Sequence, residues 1–259
     1  MSESVEVAGL KIRYARSGTG PPLLLLHGAF GSSAEWDQVT PSLAKQFTVF
    51  ATDTRGHGGT PDPGTVSYDL VATDVIGFIE TIIEGPTSIV GWSDGGIVAL
   101  LVALLRPDLV RKIVPVSANF HTNGLLPEAR ARFEGLTPDS TALEHFRSTY
   151  EAVSPDGAAH WPEIVDKVKA TILSEPTLEA KELSGIEAPT LVLSGDDDIM
   201  SLEHTIEMMR AIPSAELAIV PGASHFLHDE KPEFTWTLIR DFLLNDPTPT
   251  MMPIRRTHG

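Results

Sequence analysis

A serine, a histidine and a choice of carboxylates in this chain have the types and settings that nucleophilic catalysis needs. The pentapeptide Gly91-Trp92-Ser93-Asp94-Gly95, with Gly96 after it, fits the pattern G-x-S-x-G. An apolar run over residues 87–91 leads straight into it, and a helix-like run over 95–105 leads straight out. A strand–turn–helix of this kind sets a serine on a tight, strained turn, its hydroxyl exposed at the carboxyl edge of a sheet. Glycines at 91 and 95 let the flanking backbones approach closely. The following helix turns its free N–H groups and partial positive charge toward the hydroxyl. Ser93 is therefore the expected nucleophile.

A serine hydroxyl needs a general base, and the base needs an orienting acid. Behind a nucleophile on such a turn, the acid and then the histidine follow along the chain, each after a later strand. Of nine histidines, His225 follows the strand-like run 215–220, within Gly222-Ala223-Ser224-His225-Phe226-Leu227-His228. It lies in the loop nearest the strand end, whereas His228 falls at the start of the last helix, so His225 is the expected base. The acid should follow the run 190–194, where Gly195-Asp196-Asp197-Asp198 offers three carboxylates. Residue physics alone does not choose among them. Attack on a carbonyl builds an oxyanion, stabilised by one N–H just after the nucleophile and one after the first buried strand. Those donors are the backbones of Asp94 and Ala29, the latter in His27-Gly28-Ala29-Phe30. His27 itself is expected only to end a strand.

These groups need a scaffold. Runs near 5–7 and 11–16, with Gly9 between, predict a hairpin. Leu23-Leu24-Leu25-Leu26 reads as a strand buried on both faces. Ser32-Ser33-Ala34-Glu35 is a capping box that predicts a helix burying Trp36, Val39 and Leu43. A strand at 47–52, a glycine-rich loop at 53–59, a helix over 68–83 and a strand at 111–116 continue an alternation that means parallel βαβ units. From 120 to about 185 the alternation stops. Amphipathic, helix-like pieces appear there, punctuated by Pro127, Pro138, Pro155, Pro162 and Pro176. It resumes with a strand at 190–194, a helix at 202–211, a strand at 215–220 and a helix at 234–244. The expected fold class is α/β, a mostly parallel central sheet flanked by helices. Residues 1–119 and 186–245 form its core, residues 120–185 a helical cap, and residues 246–259 a frayed tail.

With these features in place, the chain resembles the α/β-hydrolase family over about residues 5 to 245. His27-Gly28-Ala29-Phe30 is similar to the family's oxyanion motif, and Gly91-Trp92-Ser93-Asp94-Gly95-Gly96 matches its nucleophile motif. Asp53-Thr54-Arg55-Gly56-His57-Gly58 resembles its D-x-R-G-x-G loop, which is usually structural. Gly222-Ala223-Ser224-His225, with Glu230-Lys231-Pro232 behind it, resembles its histidine motif. The family's acid motif, G-x-x-D, selects Asp198 after Gly195. Ser201-Leu202 stands where the family commonly has a proline. A serine nucleophile implies the branches with esterases, lactonases, amidases, carbon–carbon bond hydrolases and cofactor-free haloperoxidases. The form Gly-Trp-Ser-Asp-Gly-Gly resembles valacyclovir-hydrolase-like esterases. That likeness implies that the Asp94 carboxylate meets a cationic group of the substrate; complementing the helix dipole is the plainer role.

Composition narrows the function further. The 259 residues are 42% hydrophobic, enough for a sizeable core. Lys and Arg number 19 against 35 Asp and Glu, a net charge of −16 with no basic run. This argues against nucleic acid and an anionic membrane surface as partners, and no such partner is expected. No cysteine is present, so disulfides, thiolate metal sites and a cysteine nucleophile are excluded. Residues 1–10 carry two glutamates and no long apolar run, and the longest apolar stretch, 97–105, is too short to span a membrane. A cytoplasmic, soluble enzyme without metal or cofactor is expected. Apolar and aromatic residues of the cap, among them Phe120 and Trp161, together with Phe30 and Trp92, are expected to line an apolar pocket. The expected function is hydrolysis of small to medium carboxylic esters through an acyl-enzyme. Lactone or carbon–carbon bond hydrolysis or haloperoxidase chemistry on the same triad is one alternative. A ligand-binding sensor that retains the triad is another.

Overall fold

The computed structural model describes residues 2–246 and 250–252. Most of the expected tail, 247–249 and 253–259, lies outside the described residues. The chain opens with β1 (Ser2–Val7) and β2 (Leu10–Ser17), joined by Ala8 and Gly9, both at positive φ. This two-residue turn matches the twist of the paired strands. β3 (Pro22–Leu26) is the apolar leucine run. The expected helix after Ser32 is broken in two. Ser33–Trp36 forms a 3₁₀ turn capped by the Ser32 hydroxyl, and α1 (Thr40–Leu43) is a single turn. Pro41 lacks the N–H that a continuous helix would require there. Trp36 and Leu43 are nonetheless buried, as expected.

The chain continues through β4 (Thr48–Thr52), α2 (Tyr68–Phe78), β5 (Thr87–Trp92), α3 (Asp94–Leu105) and β6 (Val110–Val116). α2 runs on into a wider helical turn, Ile79–Ile83, which Glu84 ends at φ 58°. Between β6 and the next strand come α4 (Pro127–Glu134), α5 (Glu144–Val153) and α6 (Trp161–Ser174). The chain then returns to the sheet with β7 (Thr190–Asp197), α7 (Leu202–Ala211), β8 (Ala215–Ser224), the short α8 (Leu227–Glu230) and α9 (Pro232–Leu244). His228 thus belongs to α8, one element earlier than its sequence position suggested.

The eight strands form one sheet in the order β1-β2-β4-β3-β5-β6-β7-β8. β1, β2 and β4 pair antiparallel, and every pair from β4 to β8 is parallel. Alternation along β3 divides its leucines between two cores. Leu24 and Leu26 pack with Ile89, Ile113 and the apolar faces of α2 and α3. Leu23 and Leu25 pack with Val90, Val114, Trp36, Trp236 and Ile239 on the other face. A third cluster joins Trp161, Ile164, Val168 and Tyr150 of the inserted helices to Phe30 and Met200.

After β3 the chain first adds β4 on one side of it and later β5 on the other. This reversal opens a crevice beyond the carboxyl ends of β3 and β5, where open α/β sheets hold their ligands. Ala29 follows β3 and Ser93 follows β5, so both stand at that crevice. No helix among the described residues is long and apolar enough to cross a membrane.

Candidate active site

The turn at Ser93 forms because glycine flanks it. A Cβ on Gly91 would stand 2.0 Å from the Gly95 carbonyl oxygen, and one on Gly95 would stand 2.2 Å from that of Leu26. Ser93 itself takes φ 53° and ψ −117°, a strained conformation for a residue with a side chain. Its N–H donates to Val116 O at 2.8 Å, tying the turn to the end of β6. The serine closes the β5–α3 junction much as the motif predicts.

Ser93, Asp198 and His225 lie far apart in sequence and meet here. His225 Nε2 is 3.0 Å from Ser93 Oγ, and His225 Nδ1 is 2.8 Å from Asp198 Oδ1. With Nδ1–H donating to the carboxylate, Nε2 is left to accept the serine proton. All three side chains are buried. Burial pushes the Asp198 carboxyl up, but hydrogen bonds from His225, Ser117 and Ser194 outweigh it and hold the acid below its ordinary value. The other two carboxylates of the run are exposed. Asp196 Oδ1 accepts the backbone N–H groups of Gly222 and Ala223, just ahead of His225.

The β3 end carries the second expected oxyanion donor. Gly31 N–H closes a turn onto Gly28 O at 3.2 Å, with Phe30 at φ 62°. Ala29 lines a small cavity of about 20 Å³ together with Ser93, Asp94, Tyr68, Asn119, Glu175 and Met200. The carboxylate of Asp94 accepts the Tyr68 hydroxyl at 2.8 Å. Burial lifts the Asp94 carboxyl to about 6, against the pull of Tyr68 and His225.

The four aromatic side chains expected in the pocket are taken up by packing, and none is among the residues lining this cavity. Phe30 packs edge-on against Trp161 under the inserted helices. Trp161 is buried there and donates its indole N–H to Pro138 O. Phe120 stacks on His204 at 4.0 Å. Trp92 faces the opposite core and packs against Gly28, where a Cβ would strike its ring. Large aromatic residues gain most by full burial, so they fill the joints between layers. Other apolar residues, Leu125, Phe133 and Ile172 of the inserted segment with Ile199 and Met200, line the cavity beside the polar side chains. Ser117 directly follows β6 and Ser194 lies in the carboxyl half of β7, positions that mark them in sequence as site neighbours. No sequence signal points to Tyr68 or Glu175, which the inserted segment brings together: Glu175 Oε2 accepts the Tyr68 N–H at 2.9 Å.

His27 and the 53–58 loop are held in a shared hydrogen-bond network. His27 Nε2 accepts the Thr54 N–H, and its Nδ1 lies 2.7 Å from Gly28 O. Asp53 accepts from Ser33 N, Gly59 N and the Arg13 guanidinium. Among the described residues one cluster has metal-ligand geometry: Asp62, His160 and Glu163. The Lys167 ammonium already sits 2.5 Å from Asp62 and 2.7 Å from Glu163, supplying the positive charge there. The cluster ties the loop at 62 to α6.

A strained serine turn at the switch point of a mostly parallel sheet, with an aspartate and a histidine just after later strands, has the arrangement of a hydrolase class. The chain belongs to the alpha/beta hydrolase family, whose profile matches residues 23–237. It is similar to 2-(acetamidomethylene)succinate hydrolase of Mesorhizobium japonicum, at 26% identity over 94% of this chain and 95% of that one. It is similar to the serine hydrolase BPHL of Mus musculus, at 28% identity over 93% of this chain and 86% of the other. Among solved structures it resembles Est816, an N-acyl homoserine lactone degrading enzyme, with a TM-score of 0.72 at 27% identity. That match covers 93% of this chain and all (100%) of the other. Hydrolysis is the chemistry these relatives share.

Proposed function

We propose that this hydrolase cleaves small to medium carboxylic esters with Ser93 as nucleophile, His225 as general base and acid, and Asp198 as the orienting acid. One observation carries the reading: the buried hydrogen-bond chain from Ser93 Oγ through His225 to Asp198. Ser93 Oγ attacks the ester carbonyl while His225 Nε2 takes its proton. The backbone N–H groups of Ala29 and Asp94 stabilise the oxyanion. His225 then protonates the leaving alkoxide, and an acyl-enzyme remains. A water molecule, deprotonated by the same imidazole, attacks the acyl carbon and regenerates Ser93. Asp198 holds the tautomer and offsets the imidazolium charge throughout.

Residues 120–185 act in this reading as a cap. The cavity at Ser93 holds little more than a water molecule. An ester therefore enters when the inserted helices move. Asp94 and Glu175 on the cavity wall favour substrates that carry an ammonium group near the scissile bond. A second reading, lactone hydrolysis on the same triad, draws support from the likeness to Est816.

Intact-mass labelling with a fluorophosphonate, followed by a panel of p-nitrophenyl esters, lactones and β-diketones, tests the proposal. One adduct per chain, lost in Ser93→Ala, is expected. Ester turnover should fall about 10⁴- to 10⁶-fold in that variant. Faster lactone than ester turnover would favour the second reading. An active Ser93→Ala enzyme would end both, and a product burst without steady turnover would mark a sensor.

A further inference from the structure

We infer that Ser117 is a positioning residue of the triad, holding the Asp198 carboxylate from the side opposite His225; the inference rests on the triad reading above. Ser117 ends the run of β6, fully buried, with φ 51°. A side chain at that φ is strained, and glycine would adopt it freely. Strain retained beside a reactive group points to a task for the side chain that causes it.

The contacts name the task. The Ser117 hydroxyl donates to Asp198 Oδ2 at 2.5 Å. Asp198 Oδ1 is the oxygen that faces His225 Nδ1, and it also accepts the Met200 N–H at 3.3 Å. Ser117 therefore fixes the rotation of the carboxylate about its own axis. Ser194 Oγ also reaches Oδ2, at 2.9 Å, but shares its hydroxyl with Gly195 O. Ser117 is anchored in turn by its own N–H, which donates to Leu193 O at 2.7 Å. The preceding residue, Val116, accepts the N–H of Ser93. One dipeptide at the end of β6 thus holds the nucleophile by a carbonyl and the acid by a hydroxyl. A hydrogen bond to a charged carboxylate in a buried setting is of the stronger kind. Ser117 touches neither Ser93 Oγ nor the cavity at Ser93 in these contacts, so it acts through Asp198.

The test combines Ser117→Ala and Ser117→Gly with Asp198→Asn, measuring kcat and KM on p-nitrophenyl butyrate and the melting temperature of each. Both Ser117 variants should lower kcat by about ten- to a hundredfold with KM within about twofold. Ser117→Gly, relieved of the strain, should melt above Ser117→Ala and yet be as slow. Placed on top of Asp198→Asn, Ser117→Ala should cost less than about a further twofold, because residues acting as one unit do not add. Wild-type kcat in both Ser117 variants overturns the inference, as does a full additional loss in the double variant. A fully active Asp198→Asn enzyme instead removes the triad reading itself.

Discussion

Trp92 donates its indole N–H to the carbonyl of His225 at 2.8 Å, so the residue before Ser93 holds the backbone of the histidine that faces it. The two rings lie 5.4 Å apart, and Trp92 also packs against Phe226 and His228, which follow in the chain. The tryptophan expected to line the pocket is instead the wall behind the histidine. The turn at Ser93 and the loop at His225 are thereby coupled through one side chain.

Replacing that tryptophan separates its two roles. Trp92→Phe keeps most of the packing and removes the donor. It should lower kcat about tenfold while leaving KM within about twofold, a loss suited to one buried hydrogen bond. Trp92→Ala should also destabilise the fold by about 3–5 kcal/mol, the usual cost of deleting a large buried aromatic side chain. Steady-state kinetics and chemical denaturation of the two variants check this. An unchanged kcat in Trp92→Phe would show that packing alone places His225.

The three consecutive aspartates should behave unequally. Asp198→Ala should lower ester turnover about 10³- to 10⁴-fold, because it removes the partner of His225 Nδ1. Asp197 is exposed, and its replacement by alanine should stay within about twofold. Asp196→Ala should fall between them. It frees the backbone of Gly222 and Ala223 ahead of His225 without touching the imidazole. Equal losses across the three variants would mean that Asp198 is not the acid.

Asp94 ties stability to pH. Its folded value of about 6 lies above that of a free aspartate, about 3.9. Folding therefore favours the protonated acid. The stability linked to this group is fully present below about pH 4 and is lost as pH rises through about 6. Asp94→Asn keeps an acceptor for the Tyr68 hydroxyl and carries no charge. Its melting temperature should gain on the wild type between pH 5 and pH 7.5. In the same variant the preference for aminoacyl esters over neutral esters of equal size should fall toward one. A constant difference in melting temperature across that range would contradict the raised value.

The parts of this protein written in short-range patterns were readable in one dimension. Leu23 to Leu26 announced a doubly buried strand, Gly91 and Gly95 announced the turn between them, and Gly195 and Gly222 announced the loops that carry Asp198 and His225. Local rules failed where a second local signal competes or a distant element decides the outcome. The capping box at Ser32 is present, but Pro41 divides the helix it should start. Phe30, Trp92, Phe120 and Trp161 were grouped as pocket residues by type, and each instead went where burial was greatest. Tyr68 and Glu175 reach the cavity because α2 and the end of α6 converge there, across 107 positions of sequence.

The residues by themselves pointed to the family, the order of most elements and the proposed triad, with Asp198 picked out by its likeness to the family's acid motif. Each of those depends on periodicity, glycine placement or spacing within a few residues. The tertiary structure alone decided how Asp198 is held by Ser117 and Ser194 and how His225 is backed by Trp92. It also decided which side chains line the cavity at Ser93. Those contacts join strands from opposite parts of the chain at the sheet's carboxyl edge, and they exist only once packing has brought the strand ends together.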